Sequence, residues 1–239
     1  MSPPHVDAIV FDVFGTVVDW RSGVMRVGER IDETVDWATI ADDWRAEYGP
    51  SLERVRSDER AWRNLDVLHR ESLGRILDER DLAGLDESDR DQLVGAWHRL
   101  DPWPDVLPGL HRLRAEFLIA PLSNGHVRLL TDMAKRAGIP WDLILSAELA
   151  GQYKPDEAVY LTAAELLGLP PGAVLMVAAH EGDLDASRAA GLQTAYVHRP
   201  FEWGPDAATD AERPAAEAYD LVADDFLELA GRLEAPSLI

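Results

Sequence analysis

The chain has 239 residues, 46% of them hydrophobic and 28% charged, a composition typical of a globular protein. With 44 acidic and 23 basic residues its net charge is −21, which argues against a nucleic-acid-binding protein, because such a protein needs a basic surface. No apolar run reaches the roughly 20 residues that cross a bilayer, the N-terminus lacks a signal-peptide pattern, and the absence of cysteine excludes disulfides, zinc–thiolate sites and a thiol nucleophile. The sequence predicts a cytoplasmic protein without a nucleic-acid or membrane partner, in which any anion site is built from a few basic groups.

Short apolar runs alternate with helical patterns through most of the chain. The first run, Asp7–Asp12, is β-branched and ends in an acid, as expected of a buried strand. Similar runs follow at Phe117–Leu122, Leu143–Leu145, Val174–Ala178 and Thr194–Val197. Helical patterns, each stopping at a glycine, lie at Val127–Ala137, Glu157–Leu167 and Leu184–Ala190; glycine is the usual residue just past a helix end. This alternation predicts an α/β fold, a Rossmann-like doubly wound parallel sheet.

The segment 19–99 has a different pattern. It shows amphipathic helical patterns at Val35–Glu47, Leu52–Leu73 and Arg90–Leu100 and no convincing strand. We therefore predict a helical cap domain at 19–99, inserted after the first strand and closing over the carboxyl edge of the sheet. The core domain would comprise 1–18 and 100–239, with the proline-rich segment 101–109 marking the return to it.

Polar residues follow the predicted strands where ligands usually bind. Asp12 ends the first strand, and Ser123-Asn124-Gly125 follows a later one. Tyr153-Lys154 and the segment His180–Asp183 lie at corresponding places farther along the chain. In an open parallel sheet, ligands bind at the carboxyl ends of the strands. The sequence therefore predicts one site built from these segments.

Taken in order, Asp12-Val-Phe-Gly-Thr16, Leu-Ser-Asn-Gly and Tyr-Lys-Pro-Asp resemble the motifs of the haloacid dehalogenase superfamily. Within it the chain is similar to the L-2-haloacid dehalogenase branch, over nearly its whole length and including the cap. The resemblance implies hydrolysis of small 2-haloacids to 2-hydroxyacids without a cofactor, with a small anionic substrate and a released halide as partners. Homodimers are common among such relatives, although no interface is evident in the sequence.

Two positions favour carbon–halogen cleavage over phosphoryl transfer. Phosphatases of the superfamily carry a second aspartate two residues after the first, which protonates the leaving alkoxide; here that position is Phe14. They also hold Mg²⁺ with an acidic pair in the fourth motif, of which Asp183 remains while the other position is Ala179. A halide leaves without a proton, and a 2-haloacid is only a monoanion. We therefore predict a reaction that is independent of metal.

The resemblance assigns roles to the catalytic residues. Asp12 would displace halide from C2 and form an ester that water hydrolyses at the carboxyl carbon, with the Thr16 hydroxyl placed on the carboxylate. Lys154 would keep Asp12 ionised beside an anionic substrate. Asp183 would orient Lys154 or the hydrolytic water, and helix N-capping is its alternative role.

Further residues would bind the substrate. Ser123 and Asn124 would donate hydrogen bonds to the substrate carboxylate and to Asp12. Arg45, from the cap, would reach the departing halide, because a guanidinium offers a permanent charge and several donors. Phe14 would line an apolar wall, with Trp20, Trp44, Tyr48 and Trp62 as candidates to continue it. His180 would hydrogen bond the carboxylates or help to position water.

Other interpretations remain open at this stage. Lys154 and Arg45 could be exposed basic residues, Ser123-Asn124 a polar turn, and His180 a structural contact. Gly182 stands where the family often has tryptophan, which predicts a wider pocket or a wall supplied from elsewhere, for instance by Trp203. The chain could also be a phosphatase of the superfamily, or a non-catalytic binding protein of the same fold.

Overall fold

The computed structural model describes residues 6–57, 61–82, 84–205 and 213–234. Its strands, in chain order, are β1 (Ala8–Phe11), β2 (Val18–Asp19), β3 (Asp101–Pro102), β4 (Leu118–Ser123), β5 (Leu145–Ser146), β6 (Val174–Ala178), β7 (Gln193–Val197) and β8 (Leu221–Ala223). Its α-helices are α1 (Trp20–Ile31), α2 (Trp37–Ala46), α3 (Tyr48–Arg56), α4 (Leu65–Glu79), α5 (Glu87–Val94), α6 (Val106–Arg114), α7 (Val127–Ala137), α8 (Glu157–Leu167), α9 (Glu181–Ala189) and α10 (Phe226–Glu234). Short 3₁₀ helices lie at Gly95–Arg99, Ala147–Ala150 and Pro171–Ala173.

A six-stranded sheet in the order β5-β4-β1-β6-β7-β8 forms the centre of the molecule, and every pairing in it is parallel. β1 lies between β4 and β6, and its four residues are completely buried. An uninterrupted apolar run is what a strand covered on both faces requires. The predicted α/β, Rossmann-like parallel fold is confirmed.

The described part of segment 19–99 is helical after β2. β2 and β3 form a two-stranded antiparallel ribbon, in which Val18 pairs with Pro102 and Asp19 with Asp101. Helices α1–α5 and the 3₁₀ helix Gly95–Arg99 all lie between these two strands in the chain. The predicted domain boundaries fall at this ribbon, and the division into two domains stays a prediction.

Helix ends are fixed by local chemistry. α7 and α8 end as predicted, at Gly138 and Gly168, both in the left-handed conformation that favours glycine. α8 begins after Asp156, whose side chain accepts a hydrogen bond from the backbone N–H of Ala158. This is the usual way in which an aspartate caps a helix.

Several elements differ from the predictions. The predicted helix Leu52–Leu73 is two helices, α3 and α4, separated by a segment that includes undescribed residues. Helix α9 begins at Glu181 with His180 as its N-cap residue, so Asp183 lies inside the helix and the N-cap alternative for it is wrong. Helices α1, α6 and α10 and strands β2, β3 and β8 were not predicted. Within the described ranges, no helix combines the length and apolar character needed to cross a membrane.

Candidate active site

The carboxyl edge of the sheet faces a cavity of about 310 Å³. It is lined by Asp12, Phe14, Arg45, Tyr48, Asn124, Lys154, Pro155, His180, Gly182 and Asp183. Asp12 follows β1, Asn124 follows β4, and His180 follows β6 after one residue. Parallel strands therefore bring together groups that are far apart in the sequence, as the strand-end argument predicts.

Asp12 is buried and has a partner on each carboxylate oxygen. Its Oδ1 accepts a hydrogen bond from Lys154 Nζ at 3.0 Å. Its Oδ2 accepts one from Thr16 Oγ1 at 2.8 Å and lies 3.0 Å from His180 Nδ1. Burial by itself would raise the pKa of Asp12, but the charges and hydrogen bonds of Lys154, His180 and Thr16 lower it well below its ordinary value. Asp12 is thus an ionised carboxylate held in a fixed orientation.

Lys154 is held between two carboxylates. Besides Asp12, its Nζ contacts Asp183 Oδ2 at 2.5 Å, and only 6% of its side chain is exposed. Burial opposes the charge, but Asp12 and Asp183 raise the pKa of Lys154 above its ordinary value. The other oxygen of Asp183 accepts from the Tyr160 hydroxyl at 2.6 Å. Both oxygens of Asp183 are therefore occupied, one by Lys154 and the other by Tyr160. Lys154 is buried, so the surface-lysine alternative is wrong.

The direction of the Thr16 hydroxyl is fixed by the backbone. Thr16 Oγ1 accepts a hydrogen bond from the N–H of Ala179 at 3.0 Å. The hydroxyl proton is consequently free to be donated to Asp12, as the sequence predicted. Ala179, the position at which phosphatases of the superfamily place an acid, thus contributes its backbone to the site.

His180 connects Asp12 to a residue that sequence reasoning missed. Its Nε2 lies 3.1 and 3.0 Å from the two oxygens of Glu202, and Glu202 Oε1 also accepts from Trp20 Nε1 at 3.0 Å. Burial would lower the pKa of His180, but Glu202 and Asp12 raise it to about 10. The imidazole is therefore a cation in the free protein. Glu202 follows β7, so the strand-end argument could have found it.

Gly15 makes room for Glu202. A Cβ atom at Gly15 would lie 2.1 Å from Glu202 Oε1, and the backbone there has a φ of +87°, which L side chains rarely adopt. The glycine of the first motif is required on both counts. It allows the Glu202 side chain to pack against Gly15 while contacting His180.

Asn124 faces the cavity, whereas Ser123 does not. Asn124 lines the cavity, and its Oδ1 accepts from the Lys154 backbone N–H at 2.7 Å. This bond orients the side chain. Its Nδ2 donates a long hydrogen bond to Lys154 O at 3.5 Å and carries a second N–H, which is the donor suited to a substrate carboxylate. Ser123 is completely buried away from the cavity and its Oγ accepts from Gly125 N. In the described part of the chain, neither side chain hydrogen bonds to Asp12, so the predicted donation to Asp12 is wrong for both. The substrate contact predicted for Ser123 is not supported either.

Arg45, Tyr48 and Phe14 form another wall of the cavity. The guanidinium carbon of Arg45 lies 4.4 Å from the centre of the Tyr48 ring. Its Nη1 is buried and has no hydrogen-bond partner in the described part of the chain, which is the state expected of an anion-binding donor. Phe14 packs edge-on against Trp97 at 5.5 Å. Arg45 and Phe14 thus lie at the predicted cavity, and the exposed-arginine alternative is wrong.

The predicted aromatic wall is only partly present. Of its four candidates, only Tyr48 lines the cavity. Trp44 is buried with its indole N–H donating to His69 O and Ser72 Oγ, as in an ordinary core. Trp203 is half exposed and packs on Trp20, away from the cavity lining. At Gly182, a Cβ atom would meet nothing within 4 Å, so this side of the cavity is open.

The family is decided by comparison with known proteins. Residues 6–191 match the model of the haloacid dehalogenase-like hydrolases. The chain belongs to this family. This haloacid dehalogenase-like hydrolase is 46% identical to the solved L-2-haloacid dehalogenase PA0810, with a TM-score of 0.90 and coverage of 95% of this chain and 99% of that one. The predictions of a hydrolase and of the L-2-haloacid dehalogenase branch are confirmed.

Two further solved structures bear on the chemistry of this haloacid dehalogenase-like hydrolase. The defluorinating L-2-haloacid dehalogenase Rha0230 is 45% identical, with a TM-score of 0.91 and coverage of 98% of both chains. The L-2-haloacid dehalogenase of Xanthobacter autotrophicus with chloropropionic acid covalently bound is 26% identical, with a TM-score of 0.81 and coverage of 95% of this chain and 97% of that one.

Proposed function

We propose that the protein hydrolyses small (S)-2-haloacids to 2-hydroxyacids through an ester on Asp12, without a metal ion. The observation that carries the proposal is the environment of Asp12, a buried carboxylate kept ionised by Lys154, His180 and Thr16. The similar structure from Xanthobacter autotrophicus, which has chloropropionic acid covalently bound, supports a covalent route.

In the first half of the reaction, an oxygen of Asp12 attacks C2 of the substrate. The new bond joins this oxygen to C2, and the carbon–halogen bond breaks with its electron pair leaving on the halide. Arg45 supplies the unpartnered donor for an anion, and Asn124 supplies an amide N–H for the substrate carboxylate. Donors that are already in place before the reaction stabilise developing charge strongly.

In the second half, water hydrolyses the ester. Once Asp12 is alkylated it carries no charge, so one of the two carboxylates that raise the pKa of His180 is lost. We propose that His180 then releases its Nδ1 proton to solvent and takes one from the attacking water as the water oxygen bonds to the Asp12 carboxyl carbon. The bond from this carbon to the alkoxide oxygen breaks, and His180 returns the proton to that oxygen. The remaining proton of the water, left on the Asp12 carboxyl group, then passes to His180 and restores the starting state. Glu202 stabilises the imidazolium that forms during the attack.

The donor set around Asp12 does not suit magnesium. The contacts described for the Asp12 carboxylate are the Lys154 ammonium, the Thr16 hydroxyl and the His180 ring, whereas Mg²⁺ prefers carboxylate and water oxygens in octahedral geometry. Lys154 occupies the position between Asp12 and Asp183 and provides the positive charge. This arrangement disfavours the phosphatase alternative.

The test is halide release after treatment with EDTA, with L- and D-2-chloropropionate, chloroacetate and fluoroacetate as substrates. We expect release from L-2-chloropropionate without added metal, and a mass increase on the Asp12 peptide when turnover is quenched. Asp12→Asn should abolish both, with Asp7→Asn, outside the cavity lining, as the control. Turnover of p-nitrophenyl phosphate that depends on Mg²⁺, or binding without turnover, would contradict the proposal.

A further inference from the structure

A second group of chemistry-bearing side chains lies apart from the proposed active site. It consists of Asp66 on α4, His98 on the 3₁₀ helix Gly95–Arg99, and His126 just after β4. One ligand atom from each lies within 4.8 Å of the other two. The positions 66, 98 and 126 have no metal-ligand spacing in the sequence, and the fold alone brings them together.

The distances are close to those of a metal centre. His98 Nε2 and Asp66 Oδ1 are 2.9 Å apart, a hydrogen bond that a bound ion would replace, and His126 Nε2 lies 3.5 Å from Asp66 Oδ2. In tetrahedral zinc sites, bonds of about 2.0–2.1 Å set neighbouring ligand atoms roughly 3.3–3.4 Å apart. A small shift of the side chains would therefore place all three on one ion.

His126 lacks the partners expected of a buried histidine. Only 6% of its side chain is exposed, and its Nδ1 has no hydrogen-bond partner among the described residues. Its Nε2 faces the Asp66 carboxylate at a distance too long for a strong hydrogen bond. A cation between Asp66 Oδ2 and His126 Nε2 would bind both atoms more tightly than this long contact does.

His98 has the outer support that metal-binding histidines usually have. Its other ring nitrogen, Nδ1, lies 3.1 Å from Asp132 Oδ2. Asp132 is in turn held by Arg128 Nε at 2.8 Å. A carboxylate on the far nitrogen fixes the tautomer and makes the other nitrogen a better ligand.

The site has an entrance. Asp66 and His98 line a separate cavity of about 470 Å³. An ion can enter there and complete its coordination with a water molecule.

We propose that Asp66, His98 and His126 form a binding site for a divalent transition metal ion, with zinc as the fitting ion. Imidazole and carboxylate ligands suit zinc. Two ligands come from the predicted cap and one from the core, so the ion would join these two parts. His126 is two residues from Asn124, so the ion would also fix one wall of the active-site cavity. The role is structural and does not depend on the reaction proposed for Asp12.

The test measures zinc binding to the untagged full-length chain after dialysis against a chelator. Isothermal titration calorimetry should give one high-affinity Zn²⁺ per chain, and Co²⁺ should give the visible absorption of a tetrahedral site. With zinc at about a hundredfold excess over its dissociation constant, the melting temperature should rise by roughly 5–10 °C.

His126→Asn should remove the binding, the cobalt spectrum and the thermal shift, whereas His111→Asn, an exposed histidine on α6, should change none of them. Circular dichroism in chelator establishes that each variant is folded, and Asp66→Asn replaces His126→Asn if the latter is not. Failure of the wild-type chain to bind zinc overturns the proposal. Equal binding by the two histidine variants does so too, because the ion would then sit elsewhere, for instance between His180 and Glu202.

Discussion

Replacing Glu202 by glutamine should separate the two halves of the proposed reaction. Glutamine has the same shape and can still accept from Trp20 Nε1, as Glu202 does at 3.0 Å. It removes the negative charge that lies 3.0 Å from His180 Nε2 and places an amide donor or a neutral acceptor there. With a donor facing Nε2, the neutral imidazole carries its proton on Nδ1 and cannot accept one from water at that atom.

The size of the effect follows from the charge pair. Two unit charges about 4 Å apart interact by about 4 kcal/mol at an effective dielectric constant near 20, equivalent to roughly 3 pKa units. His180, whose pKa is raised to about 10 in the native protein, would thus lose much of its affinity for a proton. Ester hydrolysis should slow by between about 10² and 10³, within the range of general base catalysis. Alkylation should change far less, because Lys154 still contacts Asp12.

Quench-flow measurement of halide from L-2-chloropropionate should show a burst of about one halide per site, followed by slow turnover. Mass spectrometry should find the ester on Asp12 accumulating during the slow phase. Glu217→Gln, at an exposed position, is the matched control and should behave as wild type. Steady turnover near the wild-type rate with no burst would refute the role of Glu202, and loss of the burst itself would place Glu202 in alkylation instead.

Three further predictions concern stability, pH and specificity. Arg199 forms a buried bidentate pair with Asp105 and donates to Thr16 O. Arg199→Ala should therefore lower the free energy of unfolding, measured in urea, by about 3–5 kcal/mol. Arg114→Ala, which breaks an exposed pair with Asp142, is the control and should lower it by at most about 1 kcal/mol. Because the folded-state pKa of His180 is raised to about 10, its contribution to stability is full below the unfolded value near 6.5 and is lost as pH rises through 10. The urea midpoint of the native protein should therefore fall more between pH 6 and pH 10 than that of His180→Asn, and equal falls would contradict this. Because the space beside Gly182 is open, Gly182→Leu should lower kcat/KM for long-chain 2-haloacids by about tenfold or more and leave kcat/KM for chloroacetate unchanged. Equal losses on both substrates would mean that the substrate lies elsewhere.

Much of the fold could be predicted, because the hydrophobic pattern and the residues at the ends of strands and helices determine most of its elements. β6, α7 and α8 have the predicted boundaries, since each is an apolar or amphipathic run with clear end signals. β8 has three residues and the β2–β3 ribbon has two in each strand, too few for any periodicity to show. Their positions depend on pairing with distant segments.

The candidate site was predictable where motif and strand end coincide. Asp12, Thr16 and Lys154 lie together as expected. Ser123 illustrates the limit, because strand alternation turned its side chain away from the cavity while Asn124, the next residue, faces it. Glu202 belongs to no motif that the sequence displays, and its position after β7 was the one signal that could have identified it.

The close approach of Glu202 to Gly15 has a consequence for engineering. The segment after β7 and the turn after β1 form one interlocking unit, although 187 positions separate the two residues. A chimera that takes one of these segments from a homologue without the other would create a cavity or a steric clash beside the nucleophile. Recombination libraries built on this scaffold should therefore exchange the two segments as a pair.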